Sequence, residues 1–464
     1  MISWAKRWFW TFLAAAVLVA LGVLFLFVLP RRTDPNAFLD RSLPPAIADH
    51  FWAWIYALIL GVFAFAWLLA RAIRRARAAA PGGAEIDPAD LATGPARYPE
   101  LEEAWRQIRI RLSQAQIDPG ARNVILLIAP HEDWAAALVR SAGLPLFVQA
   151  PETDAPIHAF ATQDALLISC SGMSAFGTQE ADGVTRIEAL CRLLLAENRD
   201  CPVIRGVVAL FPAGWTTAGE SVRWASALRD DLNAIERVTR VRPPVFALFP
   251  EMETVPGFAE FIRRMPREAR QQRVGFAVPR DHALGDDVSQ RGLVWLSGWF
   301  HAWALNLMAG DPLDADGNGR LFVLDHEIRR YRSRWRKILD AALATHRESE
   351  PALFRGVYLT ATGVGADDQA FSAGLFRGPR ARIVADHAAT TWTAQAEADD
   401  RRYRRIALWV GLVGALLTLG TWAFILLRIV HEPIWWLAPL AQIIAWALAL
   451  RRILRRPAPP SATS

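Results

Sequence analysis

The sequence predicts a membrane protein with four transmembrane helices and, between the two pairs, an α/β domain with a mostly helical extension. Three observations carry this. Long apolar runs lie near both ends of the chain, β-rich runs alternate with helical ones between residues 124 and 278, and the cationic excess sits beside the apolar runs. The 464 residues are 53% apolar with a net charge of +6, long enough for two or three domains. Fourteen Lys and Arg fall in the stretches 6–7, 71–77, 401–405 and 451–456; taking them from the total leaves about −8 for everything else. The positive balance therefore reads as membrane flanks, and no nucleic-acid partner is expected.

Trp8–Leu29 and Phe51–Ala70 are each long enough to cross a ~30 Å hydrocarbon core. The loop Arg31–His50 carries three arginines against six Lys/Arg on the other side, which places the N-terminus and the segment after Arg71 in the cytoplasm. Ala78–Pro99, rich in Ala, Pro and Gly, reads as a linker. Ile406–Leu427 is a third span, and Ile434–Leu450, 17 residues containing Pro439, a fourth. The basic cluster after it favours a crossing that returns inside, and the tail PAPPSATS reads as disordered. The expected organisation is a transmembrane hairpin over 1–77, a linker over 78–100, an α/β domain over 101–280, a helical extension over 281–405, a second hairpin over 406–450 and a basic tail over 451–464.

Within the soluble part, Leu101–Gln116 has helical periodicity. Apolar strands begin at 124 (VILLI), 165 (ALLIS), 206 (GVVALF), 245 (VFALF) and 274 (VGFAV), with helices over Trp134–Ala142, Val184–Asn198, Ala218–Val238 and Phe258–Gln271. Near-continuous apolar strands alternating with helices require a parallel sheet covered on both faces. His158–Thr162 and Ala165–Ser169 add an antiparallel hairpin. The extension reads as helices over Val294–Met308 and His326–His346 with two β-like runs, Leu321–Leu324 and Val357–Thr360.

Ala121–Arg140 (ARNVILLIAPHEDWAAALVR) reads as a strand, a tight loop and a helix. In that arrangement a G-x-x-x-x-G-K-[ST] loop cradles phosphates: glycines turn backbone N–H groups to the anion and Lys adds charge. The four required positions hold Ile128, Asp133, Trp134 and Ala135, and His131, Glu132 and Asp133 put two carboxylates where phosphates would sit. At ~4 Å and an effective dielectric of ~20, each carboxylate–phosphate repulsion costs about 4 kcal/mol. The expectation is a degenerate P-loop-NTPase-like domain with no cofactor, its vacated pocket filled by Trp134.

Several segments in order resemble the IcmF/TssM family, the inner-membrane component of bacterial type VI secretion systems. Pro244–Val278 (PVFALFPEMETVPGFAEFIRRMPREARQQRVGFAV) is similar to the family's strand, its T-K-x-D loop, its P-G-F-x-E-F helix start and the following R-x-x-x-G-F strand. Ser141–Leu146, Phe354–Thr360 (FRGVYLT) and the arginine run before the third span agree as well. Carried over by this resemblance, the magnesium-side aspartate of D-T-A-G stands at Ser169, the base-reading cation of T-K-x-D at Glu251 and its acid at Glu253. The resemblance implies a scaffold or docking subunit, not an enzyme. Its partners are then other membrane-complex and baseplate subunits of a type VI or related contractile machine, reached through the cytoplasmic domain. It also implies a multi-pass protein of the bacterial inner membrane with both termini and the main soluble domain cytoplasmic. Only Arg428–Pro433 separates the last two spans, so the expectation is a short form without the family's periplasmic domain and without its lipoprotein partner.

Two alternatives stand beside this: a membrane NTPase with an unconventional nucleotide site, and a calcium-responsive regulator. The second rests on Asp314–Asp325 (DADGNGRLFVLD), which fits an EF-hand loop with Asp314, Asp316, Asn318 and Asp325 as ligands, although Asp stands where a bidentate Glu is usual. A surface turn is the competing reading. His326-Glu327 lacks the second histidine of H-E-x-x-H. In Arg329–Lys337, helical spacing pairs Tyr331 with Trp335, which reads as a charged helix with an aromatic packing stripe. Cys170, Cys191 and Cys201 show no C-x-x-C spacing and read as reduced thiols.

Overall fold

The computed structural model describes residues 98–119, 122–180, 182–197, 204–214, 218–278, 286–343, 352–377 and 390–399, with isolated positions at 383, 401, 402, 405 and 409. In chain order the elements are α1 (Pro99–Gln114), β1 (Asn123–Ile128), α2 (Glu132–Ser141), β2 (Val148–Ala150), β3 (His158–Ala161), β4 (Ala165–Ser169), α3 (Ala175–Thr178), α4 (Gly183–Glu197) and β5 (Ile204–Leu210). They continue with α5 (Ala218–Thr239), β6 (Val241–Arg242), β7 (Pro244–Phe249), α6 (Phe258–Arg264), α7 (Arg267–Arg270), β8 (Val274–Ala277), α8 (Asp286–Gly310) and α9 (Ala315–Leu343). Last come β9 (Leu353–Leu359), β10 (Ala361–Thr362), β11 (Gln369–Ala370), α10 (Ala373–Phe376) and β12 (Thr391–Trp392).

Eight strands form one sheet in the order β2-β3-β4-β1-β5-β7-β9-β8. The middle five run parallel; β2 and β3 at one margin and β8 at the other run antiparallel to their neighbours. Strand β1 shows why the middle is parallel. Val124, Leu126 and Ile128 enter one core cluster, and Ile125 and Leu127 enter the other, so both faces are apolar and both are covered. Helices α1, α4, α5, α6, α8 and α9 supply the first cluster; α2 and α10 supply the second. Each such side chain withdrawn from water stabilises the fold by about 1.5–3 kcal/mol.

The expected fold class is corrected. Among the described residues no helix is long and apolar enough to cross a membrane. That conflicts with a four-span protein and leaves a mixed α/β domain with a parallel-rich sheet. The two longest described helices show the reason. Charged residues recur along the 29 residues of α9, and α8 is interrupted by Arg291, His301 and Asn306 while it packs Leu293, Leu296 and Phe300 into the core. The stretches 8–29, 51–70 and 434–450 lie outside the described residues, as does 406–427 apart from Trp409. The multi-pass inner-membrane location, with cytoplasmic termini, rested on those spans and is set aside with them. The linker before residue 98 and the tail after 450 also lie outside the described residues.

Three smaller differences concern the second half. Leu321–Leu324 is helical, inside α9, because Leu321, Leu324, Ile328 and Trp335 bury one face at helical spacing. The helix expected over Phe258–Gln271 breaks into α6 and α7 at Met265-Pro266, since proline disfavours the helical conformation in the residue before it. Val357–Thr360 does hold a strand, but β9 lies inside the main sheet between β7 and β8, so the sheet draws on residues beyond 280.

Candidate functional site

The chain passes from β1 to β4 on one side and then back across β1 to β5, which makes the carboxyl end of β1 the switch point of the sheet. Ligands of open α/β sheets bind in that crevice. The loop after β1 is short. Ala129 N–H donates to Ser171 Oγ at 3.2 Å, and Trp134 N–H donates to the His131 carbonyl at 3.3 Å. Glu132 and Asp133 occupy the first turn of α2, so the positive end of the helix is matched by carboxylates of its own chain.

Beside this turn lies a cleft of about 560 Å³ between α2, the β2–β3 connection and the end of β4, lined among others by Glu132, Asp133, Asp154, His158 and Ser169. Ser169 and His158 sit opposite each other in the β3–β4 ladder. Ser169 is only 4% exposed and lines the cleft. Glu132 lies over Gly172, where any Cβ would stand 2.6 Å from Glu132 Oε1. Partial burial raises the pKa of the Glu132 carboxyl, and Asp154 and Asp133 add to the rise against the pull of His158. At the rim Glu152 pairs with Arg111 at 2.5 Å.

The residues expected at the phosphate positions divide. Asp133 faces the cleft, whereas Ile128, Ala135 and Trp134 are buried. Trp134 does not fill the cleft. Its indole packs in the second core cluster, edge-on to His131 with ring centroids 5.1 Å apart. Glu251 and Glu253 follow β7, two strands away from β1. Glu251 takes a left-handed conformation (φ 56°), and its carbonyl accepts from Thr254. Glu253 Oε2 accepts the Thr362 N–H at 3.0 Å; burial raises the pKa of this carboxyl although the backbone donors pull the other way. Its acid is engaged by the chain's own backbone.

The four calcium-candidate residues are not brought together in one loop. Asp314 precedes α9, where its Oδ1 accepts the Gly317 N–H at 2.9 Å and its Oδ2 pairs with Arg264. Asp316 and Asn318 lie in the first turn of α9, and Asn318 Oδ1 accepts from Arg264 at 2.9 Å. Asp325 lies farther along the helix, paired with His301 and Arg329. Among the described residues no group of three or more His, Cys, Asp or Glu is placed to hold a metal ion.

Sequence reasoning missed Asp231. It lies on the core face of α5 with Leu228, Leu232 and Ile235, fully buried, and its two oxygens accept the N–H groups of Ala175 and Phe176 at the start of α3. The signal was legible: an acid at the helical spacing of buried leucines needs a partner. Cys170 and Cys191 are buried free thiols, and burial raises the pKa of both. Tyr331 and Trp335 do stack, at 5.9 Å, and Trp335 continues onto Phe249 at 4.8 Å.

Comparison with curated proteins and with solved structures returns no match. The model of one family, the IcmF-related N-terminal domain, matches residues 187–410. The match begins within α4 and takes in β5, β7, β8, β9 and the helical layer; the residues of the cleft lie before it. Over residues 187–410 the chain is similar to the IcmF-related N-terminal domain.

Proposed function

We propose that this chain is a docking subunit of a type VI secretion or related contractile injection system, built on an NTPase-like domain that does not turn over nucleotide. The observation that carries the reading is the turn after β1. Glu132 and Asp133 stand in the first turn of α2. The cleft beside that turn is lined by Glu132, Asp133 and Asp154, with Ser169 at the position the resemblance gives to a magnesium-side aspartate. A triphosphate entering it meets like charge at ~4 kcal/mol per close pair and finds neither the glycines nor the lysine that would repay that cost. What remains is a sheet buried on both faces, a rigid support for protein–protein contacts.

Partners on this reading are other subunits of the secretion machine, the baseplate among them. Co-purification of the full-length tagged chain from cells assembling the machine tests it. Stoichiometric recovery of sheath or baseplate subunits is the expected result; recovery of none of them contradicts a docking role, and Mg²⁺-dependent ATP hydrolysis by the purified chain contradicts the loss of catalysis.

A further inference from the structure

We propose that the solvent face of α8, with the adjoining edge of α9, binds an acidic amphipathic helix of a partner protein. The inference deepens the docking role above and rests on it.

Helix α8 is apolar on two sides. Leu293, Leu296, Phe300 and Ala304 are buried against the rest of the domain. On the opposite side Val294, Gly298, Ala302 and Leu305 recur at the spacing of one helix ridge, and all four are exposed. Trp295 beside them is 56% exposed. Single exposed apolar side chains are ordinary, but a row of them on one face marks a contact surface. Gly298 has nothing within 4 Å of a built Cβ, so the ridge dips between Val294 and Leu305 and admits the close approach of another helix.

The charge beside this row selects the partner. Ser289 donates to Asp340 at 3.0 Å and His301 meets Asp325 at 3.2 Å, so α8 and α9 run antiparallel, with Val294 and Trp295 level with the stretch 328–339. That stretch holds six cations and no acid. Arg329 pairs with Asp325 and Arg336 with Asp340, the two acids that reach α8, which puts this cationic ridge on the edge of α9 that meets α8. Arg332 lies between them at helical spacing, exposed, and makes no ion pair among the described residues. Phe322, one turn before Asp325 on the same edge, is 68% exposed and extends the apolar row. An apolar row beside cations is matched by leucines and carboxylates at helical spacing, which one acidic amphipathic helix presents together. An anionic lipid surface fits less well, because Leu313 at the hairpin tip stands between exposed Asp311 and Asp316. A second copy of the chain would bring the same cationic ridge against this one.

Fluorescence anisotropy with the full-length chain tests this, using a labelled helical peptide with leucines on one face and glutamates on the other. Binding with a Kd below about 100 μM is expected, weakened roughly tenfold or more in Trp295→Ser and in Arg332→Glu. Both side chains are exposed, and melting curves show that each variant is folded. Absent binding, or binding unchanged in the variants, overturns the site. Equal binding of the same peptide with lysines in place of glutamates overturns the acidic partner. Flotation on phosphatidylglycerol vesicles that both substitutions abolish replaces the protein partner with a lipid surface, and self-association that both abolish replaces it with a second copy; either overturns the proposal. Co-purification separates this inference from the docking role. Variants that recover the secretion subunits as fully as wild type overturn the face and leave the docking role standing, whereas no recovery by wild type overturns both.

Discussion

Asp231 holds the start of a helix far from it in sequence: its Oδ1 accepts the Ala175 N–H at 2.8 Å, and its Oδ2 accepts the neighbouring Phe176 N–H at 2.8 Å. This carboxylate on α5 satisfies two orphan donors of α3. Burial raises its pKa to about 7, against the pull of the two donors, with Asp230 adding to the rise. The folded-state pKa exceeds the ordinary 3.8, so the folded state holds the proton more tightly than the unfolded chain does.

The first prediction follows from that sign. The stability due to Asp231 is fully present below pH 3.8 and is lost as the pH rises through about 7. Denaturant unfolding from pH 4 to pH 8 is expected to show a decline that flattens in Asp231→Asn. Asp231→Ala leaves two buried N–H groups unpaired and is expected to cost about 1–3 kcal/mol for each. A slope unchanged in the Asn variant would contradict the assignment.

The second concerns the ion-pair cluster that joins α6 to α9. Glu260, 5% exposed, pairs with Arg264 at 2.6 Å and with Arg263 at 2.6 Å, and Arg264 continues to Asp314 and Asn318. Hydrogen bonds from Arg263 and then Arg264 hold the Glu260 carboxyl below its usual range against the effect of burial. This contribution is therefore present above pH 4.5 and lost as the pH falls through the lowered folded-state value. Arg264→Ala leaves a buried acid with only one cation and is expected to destabilise by about 3 kcal/mol at pH 7, measured by chemical unfolding.

Gly257 supplies the third. It has φ +82°, and a Cβ there would collide with the Arg320 carbonyl oxygen of α9. Gly257→Ala must both strain the backbone and push α9 away, so a loss of about 2 kcal/mol or more is expected in a thermal or urea melt. Gly214, which has nothing within 4 Å of a built Cβ, serves as the control; Gly214→Ala is expected to be near neutral.

The fourth tests whether one substitution can restore nucleotide chemistry. Trp134 is 8% exposed in the second core cluster, so Trp134→Lys removes packing worth about 3–5 kcal/mol and buries a charge. It leaves the carboxylates of Glu132 and Asp133 in place. The variant is expected to melt lower than wild type and to bind ATP no better.

The sequence carries the sheet and much less of the site, for a physical reason. The strands at 124, 165, 206 and 245 announce themselves because a sheet covered on both faces needs continuous apolar runs, and the hairpin at 158–169 because turn residues separate its halves; the run at 274 is instead the antiparallel edge strand β8, with Ala277 exposed. Leu321–Leu324 misleads because four apolar or β-branched residues in a row fit a strand or a helix; only the wider spacing to Ile328 and Trp335 decides. The four-span reading came from runs outside the described residues, and no described helix supports it. The cleft was legible as acid beside α2, but Asp154, His158 and Ser169 join it only through the pairing of β3 with β4, and that Trp134 turns into the core is settled by packing alone.

The account's central claim is that the crevice at the carboxyl end of β1 has lost triphosphate binding. Equilibrium titration of the full-length chain with ATP and GTP, with and without Mg²⁺, tests it most directly. No saturation is expected at millimolar nucleotide. Micromolar, Mg²⁺-dependent binding, abolished by substitution of residues between 129 and 135, would contradict it.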